Sequence, residues 1–268
     1  MNTQPKKTES SPRIVCLSHD SIDMLSQLGA QDMVVGRPAG ESRPEVAHAA
    51  SIGGYGSIKP EKIKALHPDL VIAYASFQAG LTAPLLDAGV NVLHLTHHSI
   101  ADIFGSIHLL GRFTGRETSA KGIVARMNGI FDSYRIKALD KDKPRVYFEE
   151  WDEPMVAAPR WVSEMIDIAG GEDVFADKSE SPVFAHRTVQ MEALVSRNPE
   201  IMIASWCGKP VRIDEICARK GIENVAAISS NRIFEVPGDT FLQPGPNIVL
   251  GIAQLHQIFF GQPQREEP

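Results

Sequence analysis

The chain has 268 residues, 43% of them hydrophobic and 22% charged, with a formal net charge of −6. This composition holds enough apolar material for one large or two medium cores and excludes a disordered chain, while the negative balance excludes the basic footprint of a nucleic-acid binder. No run approaches the roughly 18 to 20 apolar residues that cross a bilayer, and the widely spaced Cys16, Cys207 and Cys217 give no disulfide framework.

Residues 1–11 read as a polar, disordered tail without the apolar stretch of a secretory signal. A cytoplasmic location is therefore expected for the chain as written, and a periplasmic one if a leader has been removed. The first α/β lobe is expected over residues 12–116, with strands at Ile14 to Leu17, Met33 to Val35, Leu70 to Tyr74 and Val90 to Leu95. Residues 117–140 carry Ile123, Met127, Ile130, Phe131 and Tyr134 at helical spacing, which predicts a stiff connecting helix about 30 Å long. A second lobe follows over 141–245, with strands at Val146 to Phe148, Ile201 to Ala204 and Arg232 to Val236. Residues 246–262 form a terminal helix that Pro246 opens from its favoured first position.

The two lobes echo one another. Pro60 to Tyr74 reads as a short helix, a turn at Pro68 and a buried strand, and Glu192 to Ser205 repeats it around Pro199. In each copy an acid, Asp69 or Glu200, opens the apolar run, and Arg13-Ile14-Val15 is matched by Arg145-Val146-Tyr147. Alternating strands and helices predict parallel sheets, whose ligands meet the loops beyond the carboxyl ends of the strands. Those loops hold Tyr55, Tyr74, Trp151, Phe184 and Trp206, a set of rings suited to a large, flat, partly apolar ligand.

Ser51-Ile52-Gly53-Gly54-Tyr55-Gly56-Ser57, then Pro60-Glu61-Lys62-Ile63 and Leu66-His67-Pro68-Asp69-Leu70, resembles the signature of bacterial substrate-binding proteins for vitamin B12, iron siderophores and haem. Ile168-Ala169-Gly170-Gly171-Glu172-Asp173 is a second landmark of that cluster, and the resemblance runs from about residue 12 to 260. It implies two Rossmann-like α/β lobes joined by one long rigid helix, the class III periplasmic-binding-protein fold, with a ligand held between the lobes and no catalysis. The closest pattern is that of cobalamin-binding members. By position, their corrinoid contacts fall on Tyr55, Tyr74, Phe184 and Asp239, and an expected aromatic is replaced by His94. The resemblance also implies an ABC permease as partner, docked through Glu192, while the matching first-lobe glutamate is missing near Gly80. No cofactor is required, since the cobalamin is the cargo.

Haem, a ferric siderophore or a free transition metal held by histidines is the alternative ligand. His19, His94, His97, His98 and His186 all fall in strand-end loops, and His94, His97 or His186 is the candidate axial ligand to a chelated metal, His97 and His186 foremost. An anionic siderophore calls for several arginines in these loops, where only Arg160 and Arg187 stand. Glu149, Glu150, Asp152 and Glu153 form an acidic cluster read as a solvated loop. With no nucleophile motif or phosphate-binding loop beside it, the cluster does not indicate an enzyme.

Overall fold

A computed structural model describes residues 11–54, 57–74 and 76–261. Its contacts fall into two compact units. One holds the chain up to Thr96 with Gly105–Ile123, and the other holds His97–Phe104 with the chain from Val124 onward. The division therefore falls inside the helices Ile100–Phe113 and Glu117–Ala138. The latter spans the predicted 117–140 segment closely, and Ile123, Met127 and Phe131 are buried along it as their spacing requires.

In the first unit, β1 (Ile14–Cys16), β2 (Val34–Arg37), β3 (Ala50–Ser51), β4 (Leu70–Tyr74) and β5 (Val92–Leu95) form one parallel sheet. Its order is β3-β2-β1-β4-β5. The short apolar runs Ile14-Val15-Cys16 and Leu70-Val71-Ile72-Ala73 are buried throughout, as central strands covered on both faces must be. Gly36 on β2 leaves room for a close approach, since a Cβ there would lie 2.7 Å from Leu66 Cδ1 and 3.0 Å from Val15 Cγ2.

The second unit carries β6 (Arg145–Asp152), β7 (Met155–Ala157), β8 (Glu172–Asp173), β9 (Ile201–Ala204) and β10 (Ile233–Glu235), in the order β10-β9-β6-β7 with β8 also on β6. Here the expectation of a purely parallel sheet is corrected, because β6 and β7 pair antiparallel across the two-residue turn Glu153-Pro154. The predicted strand end at Phe148 moves to Asp152 for the same reason. The pairing runs through a register irregularity between Glu149 and Trp151, and the hairpin partner gives the extra residues backbone hydrogen bonds that a loop would lack. The terminal helix begins at Ile248, not Pro246. The Ile248 N–H still bonds back to Gly245 O at 3.2 Å, so the proline sits in the turn that leads into the helix.

The internal repeat appears atom for atom where the paired strands begin. Arg13 N–H donates to Asp69 Oδ2 at 2.8 Å and Arg13 O accepts from Asp69 N–H at 2.8 Å. Arg145 N–H donates to Glu200 Oε2 at 2.9 Å and Arg145 O accepts from Glu200 N–H at 2.8 Å. Each guanidinium then donates to a carbonyl at the end of the preceding helix region, Leu66 O at 2.8 Å in the first unit and Arg197 O in the second. The acid that opens each apolar run is thus the residue that locks strand to strand.

Candidate functional site

The strand-end face of the second unit is built on β6 and β9, paired in parallel with Glu149 opposite Ala204. Tyr147 and Glu149 share a face of β6, and beyond the register irregularity that follows Glu149 the Trp151 ring packs against the same core cluster as Tyr147. Glu149 is fully buried and collects four donors. Arg219 gives it Nη1 and Nη2 at 2.5 and 2.8 Å, Trp206 gives its indole N–H at 3.1 Å, and Tyr147 gives its hydroxyl at 3.2 Å. Burial, and then the charge of Glu149, push the Tyr147 phenol well above its usual pKa. A charge without partners in this position would carry a large desolvation cost, which the Arg219 fork offsets.

The acidic cluster read as a solvated loop is corrected by this geometry. Glu149 is interior, Glu150 is paired with Arg187, and Asp152 accepts from Lys209 Nζ at 2.6 and 2.8 Å. Burial raises the Glu150 carboxyl despite Arg187 beside it. At Asp152 desolvation works upward, yet the Lys209 hydrogen bonds hold the carboxyl below its ordinary range. Three of the four acids therefore serve as counter-ions.

The residues singled out from the sequence separate clearly. Tyr55 lies outside the described residues. Trp206, expected to wall a cleft, is only 5% exposed and sits in the second-unit core with Tyr147, Phe175 and Met202. The indole N–H is drawn inward by buried Glu149, and this accounts for the difference. Trp151 is half-buried and donates its ring N–H to Glu153 O at 3.0 Å. Phe184 is 43% exposed in a short turn, with the Arg187 guanidinium 5.6 Å from its ring centre. Asp239 is exposed in the short helix Gly238–Phe241, and Glu192 is exposed in the first turn of the helix Met191–Arg197.

In the first unit Tyr74 ends β4, where its N–H donates to Gln78 Oε1 at 2.8 Å. Gln78 in turn donates to Leu17 O at 2.9 Å, tying together the ends of β1 and β4. His94 stands inside β5, its Nε2 2.5 Å from Thr82 Oγ1. His19 Nδ1 lies 2.8 Å from Glu41 Oε2, and in the second unit His186 Nδ1 lies 3.1 Å from Ser181 Oγ. His97 is buried, and desolvation lowers its pKa to about 4, leaving the ring neutral at pH 7. Among the described residues no three His, Cys, Asp or Glu side chains gather into a set able to hold a metal ion.

The structure unites Trp151 and Trp206 around Lys209, a residue that sequence reasoning passed over. Its signal was its place three positions after Trp206 in the same strand-end loop. Arg219 gave no such signal, because only folding brings it to Glu149, 70 positions earlier in the chain.

A family model for periplasmic binding proteins matches residues 14–240 of this chain. The chain belongs to the periplasmic binding protein family. Members are non-catalytic solute-binding proteins, the substrate-binding components of ABC transporters. An ABC transporter substrate-binding lipoprotein of Bacillus subtilis (strain 168) is 26% identical, the match covering 96% of this chain and 81% of that protein. A vitamin B12-binding protein of Vibrio parahaemolyticus is 23% identical, over 94% of this chain and 90% of its own. The class III fold is shared with solved structures. One is the apo periplasmic haem-binding protein of Roseiflexus sp. RS-1, with a TM-score of 0.77, 23% identity, and 93% and 98% of the two chains covered. Among the described residues no helix is long and apolar enough to cross a membrane.

Proposed function

We propose that this periplasmic binding protein carries a corrinoid, delivering it to an ABC permease that recognises the exposed carboxylate of Glu192. The observation that carries the choice of ligand is the pairing state of the strand-end face in the second unit. It offers aromatic surface at the exposed Phe184 and the half-buried Trp151, while its arginines are already engaged, Arg187 by Glu150 and Ala157 O, and Arg160 by Glu164 and Glu180. Apolar rings with few uncommitted cations suit a bulky, weakly charged chelate better than a ferric siderophore bearing several anionic groups. The likeness to vitamin B12-binding proteins of several Vibrio species supports the same reading.

Titration of the protein with cyanocobalamin, read by calorimetry and by the absorbance of the corrin ring, tests this proposal. A saturable heat with one ligand per chain is expected, and Phe184→Ala should weaken it about tenfold, in keeping with the loss of one stacked aromatic contact. Saturable binding of haemin, with no response to cyanocobalamin at micromolar concentrations, would overturn the corrinoid assignment and leave the family intact.

A further inference from the structure

Lys209 leaves β9 in the loop after Trp206, and its ammonium occupies a box made from two other places in the chain. Its Nζ lies 4.4 Å from the ring centre of Trp151 and 4.9 Å from that of Trp206, while both oxygens of Asp152 accept from it at 2.6 and 2.8 Å. The walls are fixed independently of the lysine. Trp206 is held by its hydrogen bond to Glu149, and Trp151 by its own to Glu153 O. Two indole faces and a carboxylate around one point select an ammonium ion, because the ring quadrupoles and the anion all favour a cation there.

The occupant is much less firmly held than the box. Lys209 is 39% exposed, and residues 207 to 210 around it are exposed, with Gly208 at φ 81°. With Lys209 39% and Asp152 18% exposed, water reaches the pair from the lysine side, so withdrawing the side chain costs the fold less than breaking a fully buried pair would. Beside the box opens a hollow of about 340 Å³, lined by Asp152, Glu153, Met155, Trp206, Glu215 and Arg219. Arg219 is committed to Glu149 and Glu215 to Arg212, so the wall next to the box is negative at Asp152 and Glu153 with Met155 as its apolar side. There is room for the body of a ligand whose cationic end enters the box.

We propose that Trp151, Trp206 and Asp152 form a subsite for the alkylammonium group of a small ligand, closed in this structure by the chain's own Lys209. Lys209 acts as a tethered competitor. Its high local concentration weakens binding of a free ammonium without adding a new contact. The subsite stands whether or not a corrinoid binds, and cyanocobalamin titration of the same variants reads that question separately.

The test uses the full chain, titrated with n-butylammonium chloride and with tetramethylammonium chloride against sodium chloride at equal ionic strength. Binding is followed by tryptophan fluorescence, since two of the three tryptophans line the box. Lys209→Ala should bind butylammonium at least about tenfold more tightly than the unaltered chain, and Asp152→Asn placed on Lys209→Ala should lose most of that gain. Lys209→Met keeps the apolar stem while removing the charge, and should give a smaller gain in the same direction. If neither lysine variant binds either cation more tightly than the unaltered chain, or if Asp152→Asn leaves the gain untouched, the subsite does not exist.

Discussion

Arg219→Met removes the only full charge that faces Glu149 within the Glu149, Tyr147 and Trp206 network. The variant loses the two guanidinium hydrogen bonds at 2.5 and 2.8 Å, and the fully buried carboxylate keeps two neutral donors, the Trp206 indole and the Tyr147 hydroxyl. Breaking one side of a buried ion pair costs about 3–5 kcal/mol. The lower end, about 3 kcal/mol, is expected here, because Arg219 keeps 16% exposure and those two donors remain. Replacing both partners removes the stranded charge, so the double variant Glu149→Gln with Arg219→Met should recover about 1–2 kcal/mol relative to additivity. All three tryptophans, Trp151, Trp161 and Trp206, belong to the second unit, so urea unfolding followed by their fluorescence reports on that unit. A loss below about 1 kcal/mol for Arg219→Met at an unchanged urea slope would refute the reasoning, as would costs that simply add in the double variant.

Two buried titrating groups push stability in opposite directions with pH. Asp20 has its pKa raised by burial from 3.8 to about 6, and among the described residues its Oδ2 has no hydrogen-bond partner. The folded state therefore holds the proton more tightly than the unfolded chain, and stability falls as pH rises from about 4 to 6. Asp20→Asn should remove that slope and stabilise the first unit by up to about 3 kcal/mol at pH 7, measured by hydrogen exchange of β1 amides. His97 is lowered by burial from 6.5 to about 4, so the unfolded chain takes up the proton first and stability falls as pH drops from about 6.5 to 4. Nitrogen-15 NMR of the His97 imidazole should show a neutral ring down to about pH 4, and a midpoint near 6.5 would contradict its burial. Gly251→Ala places a Cβ 2.9 Å from Thr240 O and 2.5 Å from Met165 Cε. Because the carbonyl is backbone and does not yield as a side chain would, a cost of about 1–3 kcal/mol in thermal or urea unfolding is expected.

The elements visible in the sequence are those governed by local pattern. Ile14 to Leu17, Leu70 to Tyr74 and Ile201 to Ala204 are short apolar runs between turn residues, and each forms its strand within a residue of where it was read. The long helix declares itself through the period of Ile123, Met127 and Phe131. Even the acids Asp69 and Glu200 mark equivalent positions, because they close equivalent hydrogen bonds to Arg13 and Arg145. What the pattern misjudged was β6 beyond Phe148. Glu149-Glu150-Trp151-Asp152 looks hydrophilic, and charge in a sequence ordinarily means solvent.

Whether a given charge meets solvent or a counter-ion is a question of distance in space, and no local pattern holds that answer. Arg219, Arg187 and Lys209 come from 70, 37 and 57 positions away to neutralise Glu149, Glu150 and Asp152. They turn an apparently solvated acidic loop into a framework that draws Trp206 inward and cages the Lys209 ammonium. The sequence by itself determined the main parallel strands, the long helix and the internal repeat, because these follow from periodicity and spacing, while the family rested on the resemblance of its glycine- and proline-marked motifs. The tertiary structure alone decided which rings face outward and which carboxylates are already satisfied, since Coulomb and hydrogen-bond energies depend on separations of a few ångströms that only folding creates.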